Sequence, residues 1–291
     1  MEHVLALIGF GEAGRTFALA GDWAGIAAAY DIKTDGPLRA EKLADYARAG
    51  ISGRETASGV VRGAPLLLSL VTADQALNVA EGAAADISTG ALYCDMNSVA
   101  PQTKQAAARL IEAAGGHYVD VAVMAPVDPS RLAVPLLLSG ARAVAAAEQL
   151  RKLGFTNICV VGNDVGRASA IKMIRSVMVK GLEALTAECV LAAEAAGVRD
   201  EVLASLDASE TPRPWADRAD YNLDRMMIHG LRRAAEMDEA VKTREGLRTG
   251  AVMTRGTAQR QRAIGSLGLV EPADGLAAKL AQLSARGIWA A

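Results

Sequence analysis

The sequence predicts an α/β protein in two parts: a doubly wound sheet with helices on both faces, then an all-helical C-terminal part. Three observations predict it. Short apolar runs alternate with amphipathic stretches through the first half. A glycine-rich turn separates the first apolar run from a helical stretch. Beyond "VVGNDVG", residues 160–166, no convincing strand pattern remains.

The apolar runs are Val4–Ile8, Ile26–Tyr30, Leu66–Val71, Ala91–Cys94, Tyr118–Val121, Val134–Leu138 and Ile158–Val161. Each has the length of a strand buried on both faces. Between them lie amphipathic segments such as Pro101–Ala114 and Ala141–Leu153. This alternation predicts a parallel sheet covered by helices. Ala168–Ala196 then reads as one long helix, with Gly197 as its stop. Shorter helices are expected after it, interrupted at "ETPRPW" (residues 210–215) and near Gly246, Gly250 and Gly275. The boundary falls near Gly162–Gly166, giving parts 1–163 and 164–291.

Composition narrows the classes of function. In 291 residues, 31 Lys and Arg nearly cancel 33 Asp and Glu, and no long basic stretch occurs, so nucleic acid is not the expected partner. No apolar run reaches the length of a membrane span. Residues 1–10 lack the features of a signal peptide. Cys94, Cys159 and Cys189 have no close spacing, which fits a reducing cytoplasm and gives neither a disulfide framework nor a CxxC zinc site. His3, His117 and His229 are scattered too, so no metal site is expected.

The glycine turn carries the most chemistry. Gly9, Gly11 and Gly14, in the segment Gly9–Phe10–Gly11–Glu12–Ala13–Gly14, form G-x-G-x-x-G between a strand and a helix. In the dinucleotide-binding (Rossmann-type) arrangement the first glycine permits the tight turn and the second lets the pyrophosphate approach the backbone. The third lets the helix pack on the strand. The new helix offers unpaired N–H groups and a partial positive charge to the phosphates. The second strand ends in "AAYD", placing Asp31 at its carboxyl end, 17 residues after Gly14. A carboxylate there accepts from the adenosine ribose hydroxyls and repels a 2′-phosphate, which favours NAD. Lys33 and Thr34 keep NADP as the alternative. Val71 and Thr72, ending another strand, are expected to line the same site, and so is Asn97.

With this turn, three further segments resemble the β-hydroxyacid dehydrogenase and 6-phosphogluconate dehydrogenase-like superfamily. "LIGFGEAG" is its start; "DMNSVAPQTKQAAA" (95–108) looks like its D-x-S-T-x-x-P segment, with Asn97 and Ser98 in the Ser-Thr places. "YVDVAVMAPV" (118–127) stands where the family has D-A-P-V-S-G-G, and "GRASAIKMIRS" (166–176) is similar to its G-x-x-x-K-x-x-N-N helix. The chain departs at two places. Met124, Ala125 and Pro126 replace Ser-Gly-Gly, and Arg175 and Ser176 replace Asn-Asn. "HGLRRAAEMDEA" (229–240) resembles a divergent branch. The resemblance implies a dinucleotide-binding domain over 1–163, a helical substrate and dimerisation domain over 164–291, and Lys172 as the catalytic lysine. It also implies a homodimer formed through the C-terminal helices.

The residues add their own case. Ser169, Arg175 and Ser176 share the face of Lys172 at i−3, i+3 and i+4. In a cleft beside a nicotinamide, a lysine passes a proton to or from the substrate oxygen, and partial burial with Arg175 nearby favours its neutral form. Spacing alone favours a solvated helix lysine; the resemblance selects the catalytic one. Ser176 is expected to donate to the same substrate oxygen. Asn97, Met124, Ala125, Arg175 and His229 are expected on the substrate side, with Met124 giving an apolar wall and so a bulkier or greasier substrate. Arg232 and Arg233 accompany His229, and Trp215 between prolines is a candidate cap. The expected activity is hydride transfer between nicotinamide and a hydroxy acid or alcohol, or its carbonyl partner. The alternatives are an imine reductase or oxidative decarboxylase on the same scaffold, or a dinucleotide sensor without catalysis.

Overall fold

Four-residue runs of Leu, Ile and Ala have no polar side to expose, so they build the buried centre of a sheet. The computed structural model describes residues 3–209, 212–269 and 271–287, the side chains of residues 183, 236, 239 and 242 apart. Two compact units divide the chain, Met1–Val177 and Met178–Ala291.

The first unit holds β1 (Leu5–Ile8), α1 (Glu12–Ala20), β2 (Ala27–Tyr30), α2 (Arg39–Arg48), β3 (Ser52–Gly53), α3 (Ala57–Val61) and β4 (Leu66–Ser69). It continues with α4 (Ala76–Ala84), β5 (Leu92–Asp95), α5 (Pro101–Ala113), β6 (His117–Val123), β7 (Leu136–Ser139), α6 (Ala143–Lys152), β8 (Ile158–Gly162) and the start of α7 (Arg167–Ala195). The eight strands form one sheet in the order β3-β2-β1-β4-β5-β6-β7-β8. The strand order reverses about β1, between β2 and β4, so the glycine turn leaves the sheet at a switch point where ligands bind in such folds. Two apolar layers cover the faces. Phe10, Phe17, Trp23 and Phe155 lie in one and Tyr93, Tyr118 and Ile111 in the other.

Two features of the sheet differ from the sequence expectation. The sheet is not parallel throughout: β7 runs antiparallel to β6, with Val123 paired to Leu136. A parallel return needs a crossover, usually a helix. The connection 124–135 carries three prolines and only a short 3-10 turn, Arg131–Ala133, so the chain doubles back directly. The two-residue β3 has no counterpart among the apolar runs, because Ser52 and Gly53 present no apolar pattern.

The second unit contains the rest of α7, then α8 (Arg199–Ser209), α9 (Trp215–Gly246), α10 (Val252–Gly265) and α11 (Leu276–Ala285). The expected shorter helices are corrected by α9, which runs for 32 residues. Pro214 starts it, and Gly230 does not break it because that glycine is used for packing. Glu210 and Thr211 of the expected "ETPRPW" interruption lie outside the described residues. A Cβ on Gly230 would lie 2.5 Å from the Gln261 carbonyl oxygen, and one on Gly265 only 2.4 Å from the Leu231 nitrogen. Helices α9 and α10 therefore touch backbone to backbone, and Met227, Ile264, Leu269 and Leu283 form a small core in this unit. Gly230→Ala is expected to cost about 3 kcal/mol, the upper range for overpacking against atoms that cannot yield. A lowered midpoint for loss of helical circular dichroism checks this.

Candidate active site

The glycine turn has the geometry its spacing predicts. Gly9 stands at φ +91°, and a Cβ there would meet the Leu70 carbonyl oxygen at 2.5 Å. The chain can therefore turn under β4 only with glycine. A Cβ on Gly14 would lie 2.9 Å from the Gly9 oxygen, so α1 packs directly on the turn. A Cβ on Gly11 would meet nothing within 4 Å. Its absence is not needed by the fold, and it leaves the backbone at the start of α1 open to a ligand. The first-turn N–H groups of α1 have no intrahelical acceptors and can receive an anion there.

Beside the turn lies a cleft of about 550 Å³, within the range of small-ligand sites. It brings together Gly9, Gly11, Glu12, Asp31, Val71 and Thr72, with Tyr30, Lys33 and Val79 among the other walls. The Asp31 carboxylate is buried, accepting the Phe10 N–H at 2.8 Å through Oδ2 and the Lys33 N–H at 3.0 Å through Oδ1. It thus holds the glycine turn as well as facing the cleft. Each oxygen retains a second lone-pair site for a ribose hydroxyl. Burial, then the hydrogen bond to Asp35, pushes the Tyr30 phenol up to about 12, so it stays protonated. Open backbone at Gly11, a cleft of this size and spare acceptor capacity on Asp31 all fit a dinucleotide.

Not every residue expected at the cofactor is at the cleft. Phe10 goes to the core: its ring packs 5.1 Å from that of Tyr46, its N–H is taken by Asp31, and its carbonyl accepts Lys42 Nζ at 2.9 Å. Gly14 is buried and Ala13 half-buried; both shape the turn without lining the cleft. Asn97 is almost fully buried and acts as a tie. Its Oδ1 accepts the Val71 N–H at 2.7 Å, and its Nδ2 donates to Ser69 Oγ at 2.9 Å.

Next in sequence to that tie, Ser98 accepts a short hydrogen bond from Lys172 Nζ. Lys172, half-buried in the first turns of α7, is therefore joined through Ser98 and Asn97 to Val71 at the cleft. Arg175, exposed, donates to the Met124 carbonyl at 3.4 Å. Met124 is half-buried and Ala125 exposed at the end of β6. Ser176 donates its hydroxyl proton to the Lys172 carbonyl at 2.9 Å. In this geometry that proton goes to the helix, not to a substrate oxygen as expected. Three helical positions back, Ser169 is buried and turned to β6, away from any ligand role. His229 lies half-buried on α9 in the second unit, with Arg232 exposed and Arg233 half-buried; Trp215 is exposed under Arg218. Among the described residues no cluster of His, Cys, Asp or Glu has metal-binding geometry. No described helix is long and apolar enough to cross a membrane.

Comparison with known proteins places this geometry in a family. Residues 4–161 match the NAD binding domain of 6-phosphogluconate dehydrogenase, and the chain belongs to that family. Residues 193–264 match a domain of unknown function, DUF1932. The chain is similar to a conserved hypothetical protein from Sinorhizobium meliloti 1021, at 39% identity over 96% of this chain and 93% of that one, with a TM-score of 0.60. It is similar also to a conserved protein of unknown function described as structurally similar to 3-hydroxyacid dehydrogenases. There the identity is 28% over 91% of this chain and 98% of that one, with a TM-score of 0.57. An imine reductase from Aspergillus terreus in complex with NADPH4 and dibenz[c,e]azepine shares the fold at 18% identity, covering 92% and 96%, with a TM-score of 0.66. The first unit is thus an NAD(P)-binding domain on an oxidoreductase scaffold of the 6-phosphogluconate dehydrogenase type.

Proposed function

We propose that the chain is an NAD(P)-dependent oxidoreductase acting on a CH–OH group or the corresponding carbonyl, with Lys172 as the proton carrier. The observation that carries this reading is the tie from Lys172 through Ser98 and Asn97 to Val71 at the cleft. Gly9, Gly11, Glu12 and the start of α1 hold the phosphates, and Asp31 holds the adenosine ribose. The dinucleotide, when bound, supplies or accepts hydride. Lys172 gives a proton to the substrate oxygen in reduction and removes it in oxidation. Ser98 orients the amine. Arg175, with spare donors beyond its bond to Met124, attracts an anionic group, and Met124 with Ala125 gives an apolar wall. Residues 1–163 serve the dinucleotide in this reading, and 164–291 the substrate and the dimer.

Asp31 favours NAD, because its buried carboxylate repels a 2′-phosphate. Titrating the protein with NADH and NADPH, followed by nicotinamide fluorescence, is expected to give binding with NADH the tighter. Turnover is then sought with hydroxy acids, alcohols, aldehydes and cyclic imines. Reduction of imines alone would replace the CH–OH reading. Binding with no turnover on any of them would make the chain a dinucleotide sensor.

We also propose a homodimer. Ile174, Met178, Leu182 and Leu185 lie exposed at helical spacing along α7, with Val177 and Leu191 beside them. Such a stripe calls for a covering partner. Light scattering at micromolar concentration is expected to return twice the 30.2 kDa chain mass.

A further inference from the structure

Three buried charged side chains lie close to the Lys172 contact and take no part in the reaction proposed above. Asp95 ends β5 and Asp120 lies opposite it on β6, paired in register. Like charges on adjacent strands destabilise a sheet unless something separates them. Lys104, from α5, does so. Its ammonium is fully buried, 3.0 Å from Asp95 Oδ1 and 3.5 Å from Asp120 Oδ1, and it donates to the Asp95 carbonyl at 2.6 Å.

Each carboxylate reaches a different arm of the site. Asp95 Oδ1 accepts the Asn97 N–H at 2.9 Å, which sets the loop carrying Ser98. Its Oδ2 accepts the Tyr118 hydroxyl at 2.6 Å. Burial and the Asp95 charge push that phenol up, so it remains a donor. Asp120 Oδ2 accepts from Ser169 N at 3.0 Å, Ser169 Oγ at 3.0 Å, Gly166 N at 3.2 Å and Ser139 Oγ at 3.2 Å. Ser139 Oγ in turn accepts the Ala168 N–H at 3.0 Å. The first turn of α7 is therefore capped by a carboxylate from a strand 46 residues earlier rather than by its own preceding residue. A negative charge at this end also meets the positive pole of the helix. That pole adds about half a positive charge to the Lys104 ammonium. With the N–H and hydroxyl donors on Asp120 it offsets part of the cost of burying two carboxylates with one ammonium.

We infer that Asp120 and Lys104 are positioning residues for Lys172. Asp95 sets the Ser98 loop, Asp120 sets the first turn of α7, and Lys104 fixes one carboxylate against the other. The Lys172–Ser98 hydrogen bond is where the two arms close. This inference rests on Lys172 as the proton carrier. A purely structural role would lower stability and leave the Lys172 amine as it is.

The test uses the full chain and the variants Asp120→Ala, Asp120→Asn and Lys104→Met. Acetylation by N-hydroxysuccinimide acetate at one pH is read by peptide mass spectrometry as the rate at Lys172 over the rate at exposed Lys33. In Asp120→Ala this ratio is expected to rise about fivefold, the factor one lost hydrogen bond of about 1 kcal/mol corresponds to. Amides 166–169 should exchange faster with it. Asp120→Asn keeps an acceptor oxygen and should return the ratio most of the way. Lys104→Met should raise it. An unchanged ratio in folded Asp120→Ala and Lys104→Met overturns the inference. So does a raised ratio with kcat still at the wild-type value. If those variants do not fold, Ser139→Ala removes the Ala168 contact without unpairing a charge; an unchanged ratio there is equally fatal. Dinucleotide titration of the wild type is run alongside. Failure to bind would sink the proposed function while leaving the labelling result to decide the positioning role.

Discussion

Lys172→Ala is expected to lower kcat by about 10²–10⁴-fold, the usual contribution of a positioned proton carrier, while dinucleotide affinity stays within about twofold of wild type. The split follows from where the residue sits. Lys172 does not line the cleft beside the glycine turn, so its loss removes nothing that holds the phosphates or the ribose. A hydrogen bond to Ser98, next to Asn97, joins it to that cleft. Ser98→Ala should therefore have a smaller effect, about fivefold to tenfold, because it removes one orienting hydrogen bond and leaves the amine. Lys172→Arg keeps a charge at the place but holds its proton far too tightly to exchange it, so it should resemble alanine in kcat. The measurement is steady-state turnover on whichever substrate of the panel the wild type accepts, with dinucleotide titration of the same samples. A wild-type kcat in Lys172→Ala removes the lysine from the mechanism.

The strands could be read from the sequence because each is a short apolar run with no polar face. Those residues can be buried only in the centre of a sheet. The glycine turn was legible for a similar reason: each of its glycines answers a separate steric demand at a fixed spacing. Gly197 at φ +70° likewise ends α7 where its identity predicts. What escaped the sequence is contact between distant segments. Nothing local marks Lys104 as buried, since its spacing on α5 is that of any helical lysine. Nothing marks Asp120 as the cap of a helix that begins at Arg167. Gly230 and Gly265 are each unremarkable until two helices meet at them. The direction of β7 was equally hidden, because an apolar run carries no sign of which way its chain travels. Asp31 is legible at its strand end, but its hold on the Phe10 N–H, 21 residues away in sequence, has no local mark.

Gly11→Leu is expected to abolish most dinucleotide binding and leave the fold intact, a combination no other glycine of the turn can give. At Gly9 any side chain would strike the Leu70 carbonyl and require φ +91°. Gly9→Ala therefore damages the turn itself, and lost binding would say nothing about a ligand. At Gly14 a side chain would press on the Gly9 oxygen and push α1 off the sheet. Gly11 differs on both counts. Its φ is −80°, which a side chain can adopt, and the space a Cβ would enter is empty for 4 Å. The substitution replaces a glycine at the N-cap of α1, for which a cost of about 1 kcal/mol or less is expected. The unfolding midpoint should move little. A ligand lying against the backbone there would instead meet a branched side chain where it needs N–H groups. Overpacking of that kind costs about 1–3 kcal/mol, which lowers affinity roughly tenfold to hundredfold. Fluorescence titration with NADH and NADPH, beside thermal unfolding of the same protein, reads both quantities. Wild-type affinity in a folded Gly11→Leu would mean that phosphates do not approach this turn, whatever the spacing of its glycines.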